Sequence, residues 1–117
     1  MATFDTPELL EALQNIEKGN YSEAVEVLTH LADADNPKAQ CNLANLYQFG
    51  WGVTADGRKA VELYGKVARQ NIHEEQLSAL SYHNLSTLYI SGAPGVAPDY
   101  ERAAAYSALA KELGFDM

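Results

Sequence analysis

Nine positions of this 117-residue chain recur at a nearly fixed distance. Leu43, Leu46, Tyr47, Gly50, Gly52, Val53, Asp56, Lys59 and Ala60 return as Leu85, Leu88, Tyr89, Gly92, Gly95, Val96, Asp99, Arg102 and Ala103, 42 residues on up to the first glycine and 43 after it. The offset changes because Gly92-Ala93-Pro94-Gly95 stands where Gly50-Trp51-Gly52 does, one residue longer. A period of this length with helical spacing and glycine turns marks an α-solenoid, in which a helical pair hides its apolar side by stacking on the next pair.

The stretch from Asn36 to Gln70 holds one whole unit. Asn36 is placed to cap a helix beginning at Pro37, where a missing N–H costs nothing and the fixed φ is already helical. Ala39, Leu43, Leu46 and Tyr47 then fall at i, i+4, i+7 and i+8, one face of a helix and the wrong period for a strand. Gly50 and Gly52 give the chain the left-handed conformations of a helix C-terminus and a reversal. Asp56 offers its carboxylate to the free N–H groups of a second helix, whose stripe is Ala60, Leu63, Tyr64, Val67 and Ala68.

These residues resemble the Sel1-like repeats, relatives of the tetratricopeptide repeats. The motif A-x-x-x-L-A/G-x-L-Y-x-x-G-x-G-V-x-x-D-x-x-K-A reads almost unbroken from Ala39 to Ala60. The third unit departs from it: Ser81 replaces the first alanine, Ser86 the alanine or glycine, and the loop has an extra residue. The resemblance implies an all-α fold, an α/α solenoid of three helix-turn-helix repeats with six helices wound as a right-handed superhelix. The length suits a single domain, 1–117, with units at about 6–35, 36–70 and 71–114.

The first unit is degenerate. Thr6-Pro7-Glu8 is a helix start with cap, proline and an acid at the positive end of the dipole, and Leu9, Leu10, Leu13 and Ile16 make the stripe. After the turn Gly19-Asn20-Tyr21, Asn20 and Glu23 have the spacing of a capping box, and Ala24, Val27, Leu28 and Leu31 face inward. Before the third unit the chain is longer by six residues, since Ala32 to Ala39 is seven and Ala68 to Ser81 is thirteen. Asn71 and Glu74 again suit a capping box, so the spacing predicts a helix from about Ile72 to Ser91 with Leu77 and Leu80 extending its stripe. That added turn is either packed on the preceding helix or open to a partner. A last helix runs from Asp99 to about Leu113 and stops at Gly114, with Ala103, Tyr106, Ala110 and Leu113 toward the core. Its far side, Ala104, Ala105, Ala108 and Leu109, is a candidate surface for self-association.

Net charge is −8, distributed as −7 over residues 1–35, +3 over 36–70 and −4 over the remainder. Such a chain repels phosphate backbones, which argues against nucleic acid and for a protein or peptide partner, a basic one in particular. The start Met1-Ala2-Thr3-Phe4-Asp5 lacks a basic segment followed by an apolar one, and no apolar run has the length of a membrane span. A cytoplasmic protein with no membrane partner is expected. Cys41 is the only cysteine, so no intramolecular disulfide and no cysteine metal cluster forms.

No constellation for catalysis is present, and no cofactor or metal is expected. Gly50-Trp51-Gly52 follows a helix and lacks both the strand and the third glycine of a phosphate-binding loop. His30, His73 and His83 lack a two-histidine helical spacing with an acid, Cys41 has no paired base, and Glu74-Glu75 reads as a solvated helix start. The resemblance implies that the first helix of each unit lines a concave face. On this chain that row is Lys38, Cys41, Asn45, Gln48 and Phe49, continued by Leu80, His83, Thr87 and Ile90. Amides there can bond a partner's backbone and an exposed Phe49 or Ile90 can fill a pocket, although Phe49 can equally pack on Trp51 and seal its loop. Trp51 is either a packing lid or an interface anchor. The expected function is a non-enzymatic protein-protein interaction scaffold, with an immunity protein that neutralises a cognate toxic effector as the alternative.

Overall fold

A computed structural model describes residues 4–70 and 75–115. Among these are six helices and no strand: α1 (Pro7–Glu17), α2 (Tyr21–Asp33), α3 (Pro37–Phe49), α4 (Gly57–Arg69), α5 (Glu75–Ser91) and α6 (Tyr100–Glu112). Each packs on the next in sequence, and α3 also touches α5, so the molecule is a stack of three hairpins. None of the described helices is long and apolar enough to cross a membrane.

Local chemistry starts and stops these helices where the repeat requires. The side chains of Thr6, Asn36, Asp56 and Asp99 accept from the N–H of Leu9, Ala39, Lys59 and Arg102 at 3.0–3.2 Å, each satisfying a donor the helix leaves free. Asn20 differs from the expected capping box: its side chain makes no cap bond and instead donates to Asn15 Oδ1 at 3.5 Å. The Asn71–Glu74 box lies outside the described residues. Helix α2 ends without glycine, on Asp35 at φ +64°, a conformation a short polar side chain tolerates.

The two long loops show how an inserted residue is absorbed. In both, a left-handed glycine closes the helix, with Gly50 donating to the Leu46 carbonyl and Gly92 to that of Leu88. In both, the next capping aspartate donates back, Asp56 to Tyr47 and Asp99 to Tyr89, each at 2.8 Å. Between these fixed ends the longer loop folds Ala93-Pro94-Gly95-Val96 into a tight turn closed by reciprocal N–H···O bonds of 2.9 and 2.8 Å. Proline followed by a positive-φ glycine suits such a turn.

Core residues follow the predicted stripes in α2, α3 and α4, where Ala24, Leu28, Ala39, Leu43, Leu46, Ala60, Leu63, Tyr64, Val67 and Ala68 are all buried. In α1 the stripe is rotated: Ala12 is buried beside Leu9, while Leu10 is 49% exposed. Of the added turn, residues 71–74 lie outside the described residues, the part that follows is packed on one side, and Leu80 is exposed. Ser78 is buried and its hydroxyl donates to the carbonyls of Val67 and Gln70 at the end of α4, and Leu77 packs on the core.

Candidate functional site

The predicted contact row separates into a covered half and an open half. Lys38 is tied to Asp5 by a 2.7 Å ion pair. Cys41 is 4% exposed under α5, where the Ser81 hydroxyl lies 3.8 Å from its sulfur, so it is a core residue and offers no contact surface. Asn45 and Gln48 are half-buried, and their amide oxygens both face the hydroxyl of fully buried Tyr64, that of Gln48 at 2.9 Å. A phenol gives one proton and accepts another, so turning either amide yields one donated and one accepted bond with the same heavy atoms. These groups are engaged within the chain, Lys38 by Asp5, Asn45 and Gln48 by Tyr64 of their own unit, and only Cys41 by the third unit lying across the second.

Among the described residues no unit lies across the third, and its row is open. Leu80 and Ile90 are 37% and 52% exposed, and Thr87 is exposed with its hydroxyl on the Asn84 carbonyl at 2.9 Å. His83, Thr87 and Ile90 of α5 and Tyr100, Ala104 and Ser107 of α6 line a cleft of about 430 Å³, a size typical of binding clefts. One end is partly covered by the chain itself. Gly114, at φ +91°, turns the backbone so that the Phe115 ring stacks on His83 with centroids 4.4 Å apart. Tyr100 is the most exposed large apolar residue described, at 72%. The sequence reading missed Tyr100 and Ser107 and placed Ala104 on the far side of the last helix, although comparison at the repeat offset pairs Tyr100 and Ser107 with Gly57 and Tyr64 and so marks two unusual exchanges.

Two further features lie at the surface away from this cleft's lining. Trp51 stacks between Phe49 (5.1 Å) and Tyr21 of the first unit (5.6 Å), so Phe49 packs on Trp51 as one reading expected and is still 55% exposed. On the other side of α6, a second cleft of about 400 Å³ lies between Arg58 and Arg102. Arg58 donates to the Gly95 carbonyl at 3.3 Å, and Arg102 sits over the Tyr89 ring at 5.3 Å with Asp99 at 3.8 Å.

Cys41 is not set up as a nucleophile. Burial pushes the Cys41 thiol up from its ordinary value, against the lowering by hydrogen bonds with Ser81 and Asn84, whereas a nucleophilic cysteine needs a lowered one. Among the described residues no group of three or more His, Cys, Asp or Glu side chains is placed to hold a metal ion.

A stack of helical hairpins, each seated on the one before, with the last face open, defines a helical-repeat solenoid. The Sel1 repeat family model matches residues 37–72 and 79–115, well over half of the chain, and the chain belongs to that family. The degenerate first unit lies outside both matches. Among solved structures, the chain is similar to c5321 of uropathogenic Escherichia coli, a protective antigen displaying an SLR fold, at 26% identity and TM-score 0.75 over 92% of this chain and 22% of that one. It is also similar to a Sel1 repeat protein from Oxalobacter formigenes, at 23% identity and TM-score 0.43, over 96% of this chain and 62% of that one. The chain thus spans less than two thirds of either protein. Curated proteins give no match.

Proposed function

We propose that this Sel1 repeat chain is a non-enzymatic scaffold that holds a protein or peptide partner on its helical face. The observation that carries this is the open third unit. Ile90 and Tyr100 stand 52% and 72% exposed beside a cleft, while their equivalents Gln48 and Gly57 are half-buried and buried. Large apolar side chains grouped around a concavity are the usual anchors of an interface. Membership of a repeat family of interaction scaffolds supports the same conclusion. Affinity capture from the native host, run with the wild type and with the double variant Ile90→Asp, Tyr100→Ala, tests it. A protein whose recovery falls about tenfold or more with the variant, at an unchanged helical melt, is the expected result. Equal recovery of every captured protein overturns the use of this face.

A second reading, an immunity protein that blocks a basic toxic effector, draws on the first unit. Glu8, Glu11, Glu17, Glu23, Glu26 and Asp33 of α1 and α2 are all exposed, a surface suited to a basic cleft. Growth rescue on co-expression with a toxic neighbouring gene product favours it, and absence of rescue removes it.

A further inference from the structure

The repeat contains its own template for what fills the open groove. Subtracting the repeat offset, His83, Ser86, Ala103 and Ser107 correspond to Cys41, Ala44, Ala60 and Tyr64, all four buried in the second unit, and α5 is the helix that packs across α3 and α4 there. The helix seats through small and leucine side chains, Ser78, Ser81 and Leu85, which are at most 1% exposed. The groove between α5 and α6 is therefore the vacant counterpart of a helix-binding groove already occupied once in this molecule.

Two exchanges decide what can occupy it. At Gly57 the following unit's turn comes so close that an added Cβ would lie 2.7 Å from the Pro94 oxygen and 2.8 Å from the Ala93 Cβ, and the Gly57 N–H donates to that same oxygen. Tyr100 stands at the equivalent place, so a further repeat with this turn cannot seat at the same distance. A helix without such a turn avoids this clash with Tyr100. The second exchange, Ser107 for Tyr64, removes the ring that fills the seam between α3 and α4 and leaves room for side chains from the occupant. Charge then separates a second copy from another protein, because copies each carrying −8 repel and a basic helix is attracted.

Building on the scaffold reading above, we propose that the α5–α6 groove binds one amphipathic helix of a basic partner protein, seated as α5 seats on α3 and α4 but with no repeat turn after it. This is helix-in-groove recognition, with apolar anchors at i, i+3, i+4 and i+7. Tyr100 and Ile90 line the groove, and the Phe115 ring stacks on His83 at one end.

The test is an NMR titration of the whole isotope-labelled chain with a synthetic helix of about five turns, leucine and serine on one face and lysine on the other. A scrambled peptide of the same composition is the control. Saturable shifts confined to His83, Thr87, Ile90, Ala104 and Ser107, with Kd raised about tenfold or more by Ala104→Trp and by Ile90→Asp, are expected. Either substitution falls on an exposed side chain, so a folding failure in one leaves the other. Equal binding of the scrambled peptide, shifts on the acidic α1 and α2, or no shifts overturn the proposal. Shifts at Phe49 and Trp51 instead overturn the groove and leave the scaffold reading standing. Sedimentation showing a dimer of the chain alone that Ala104→Trp dissolves also overturns it, by placing a second copy in the groove.

Discussion

Gly52→Ala separates two reasons for a glycine that usually coincide. At φ +75° any Cβ is strained, and at this position it would also lie 2.5 Å from the carbonyl carbon of Tyr21 and 2.7 Å from its oxygen. Backbone of the first unit cannot yield as a flexible side chain does, so the two units must part. Gly19, at φ +82°, shares the first reason alone, with nothing within 4 Å of an added Cβ. The conformational strain costs about 1 kcal/mol at either site. Forced overpacking adds about 1–3 kcal/mol at Gly52. Gly19→Ala is therefore expected to lower stability by about 1 kcal/mol, and Gly52→Ala by about 2–4 kcal/mol. At this chain length those values correspond to Tm losses of roughly 4 °C and roughly 8–16 °C. Urea denaturation followed by circular dichroism at constant m gives the two free energies directly. Equal losses for the two variants refute the idea that Gly52 is held by contact with Tyr21.

Asp56→Ala is expected to cost about 1 kcal/mol through loss of the bond from Lys59 N–H, while Asn20→Ala, which removes no cap bond, stays within about 0.5 kcal/mol; paired urea melts check the contrast. Burial raises the Cys41 thiol above its ordinary 9.0 and the Tyr64 phenol well above 10.0, the latter with a smaller push from Cys41. The native state thus keeps protons that the unfolded chain loses, so stability is full below about pH 9 and falls as pH rises beyond it. Cys41→Ala flattens the onset near pH 9 and leaves the later fall from Tyr64, measured as Tm against pH. Ending the chain after Gln70 exposes the face of α4 that α5 covers, and the fragment is expected to melt without cooperativity; a sharp transition refutes the need for three stacked units.

The repeat was legible in the sequence because its punctuation is chemical. Gly50, Asp56, Gly92 and Asp99 do the same backbone work at both copies, and the inserted residue changes only the turn between them. Rotation of a helix about its axis was less legible. Leu9, Leu10, Ala12 and Leu13 offer more than one apolar face, and the position of α2 decides that Ala12 goes inside and Leu10 out. The same limit applies to the contact row. Cys41 and His83 hold equivalent places in the repeat, and only the presence of a following unit makes one core and the other open. Asn20 and Asp35 show that side-chain type states a preference for cap or turn which the geometry of the neighbouring hairpin then grants or overrides.

Trp51 is the sole tryptophan, and its ring lies against Tyr21 across the seam between the first two units. Its fluorescence is thus a natural gauge of that seam. In a linear array, whose ends loosen before the middle, the emission will register detachment of the first hairpin while the far-ultraviolet signal of the other helices is still intact.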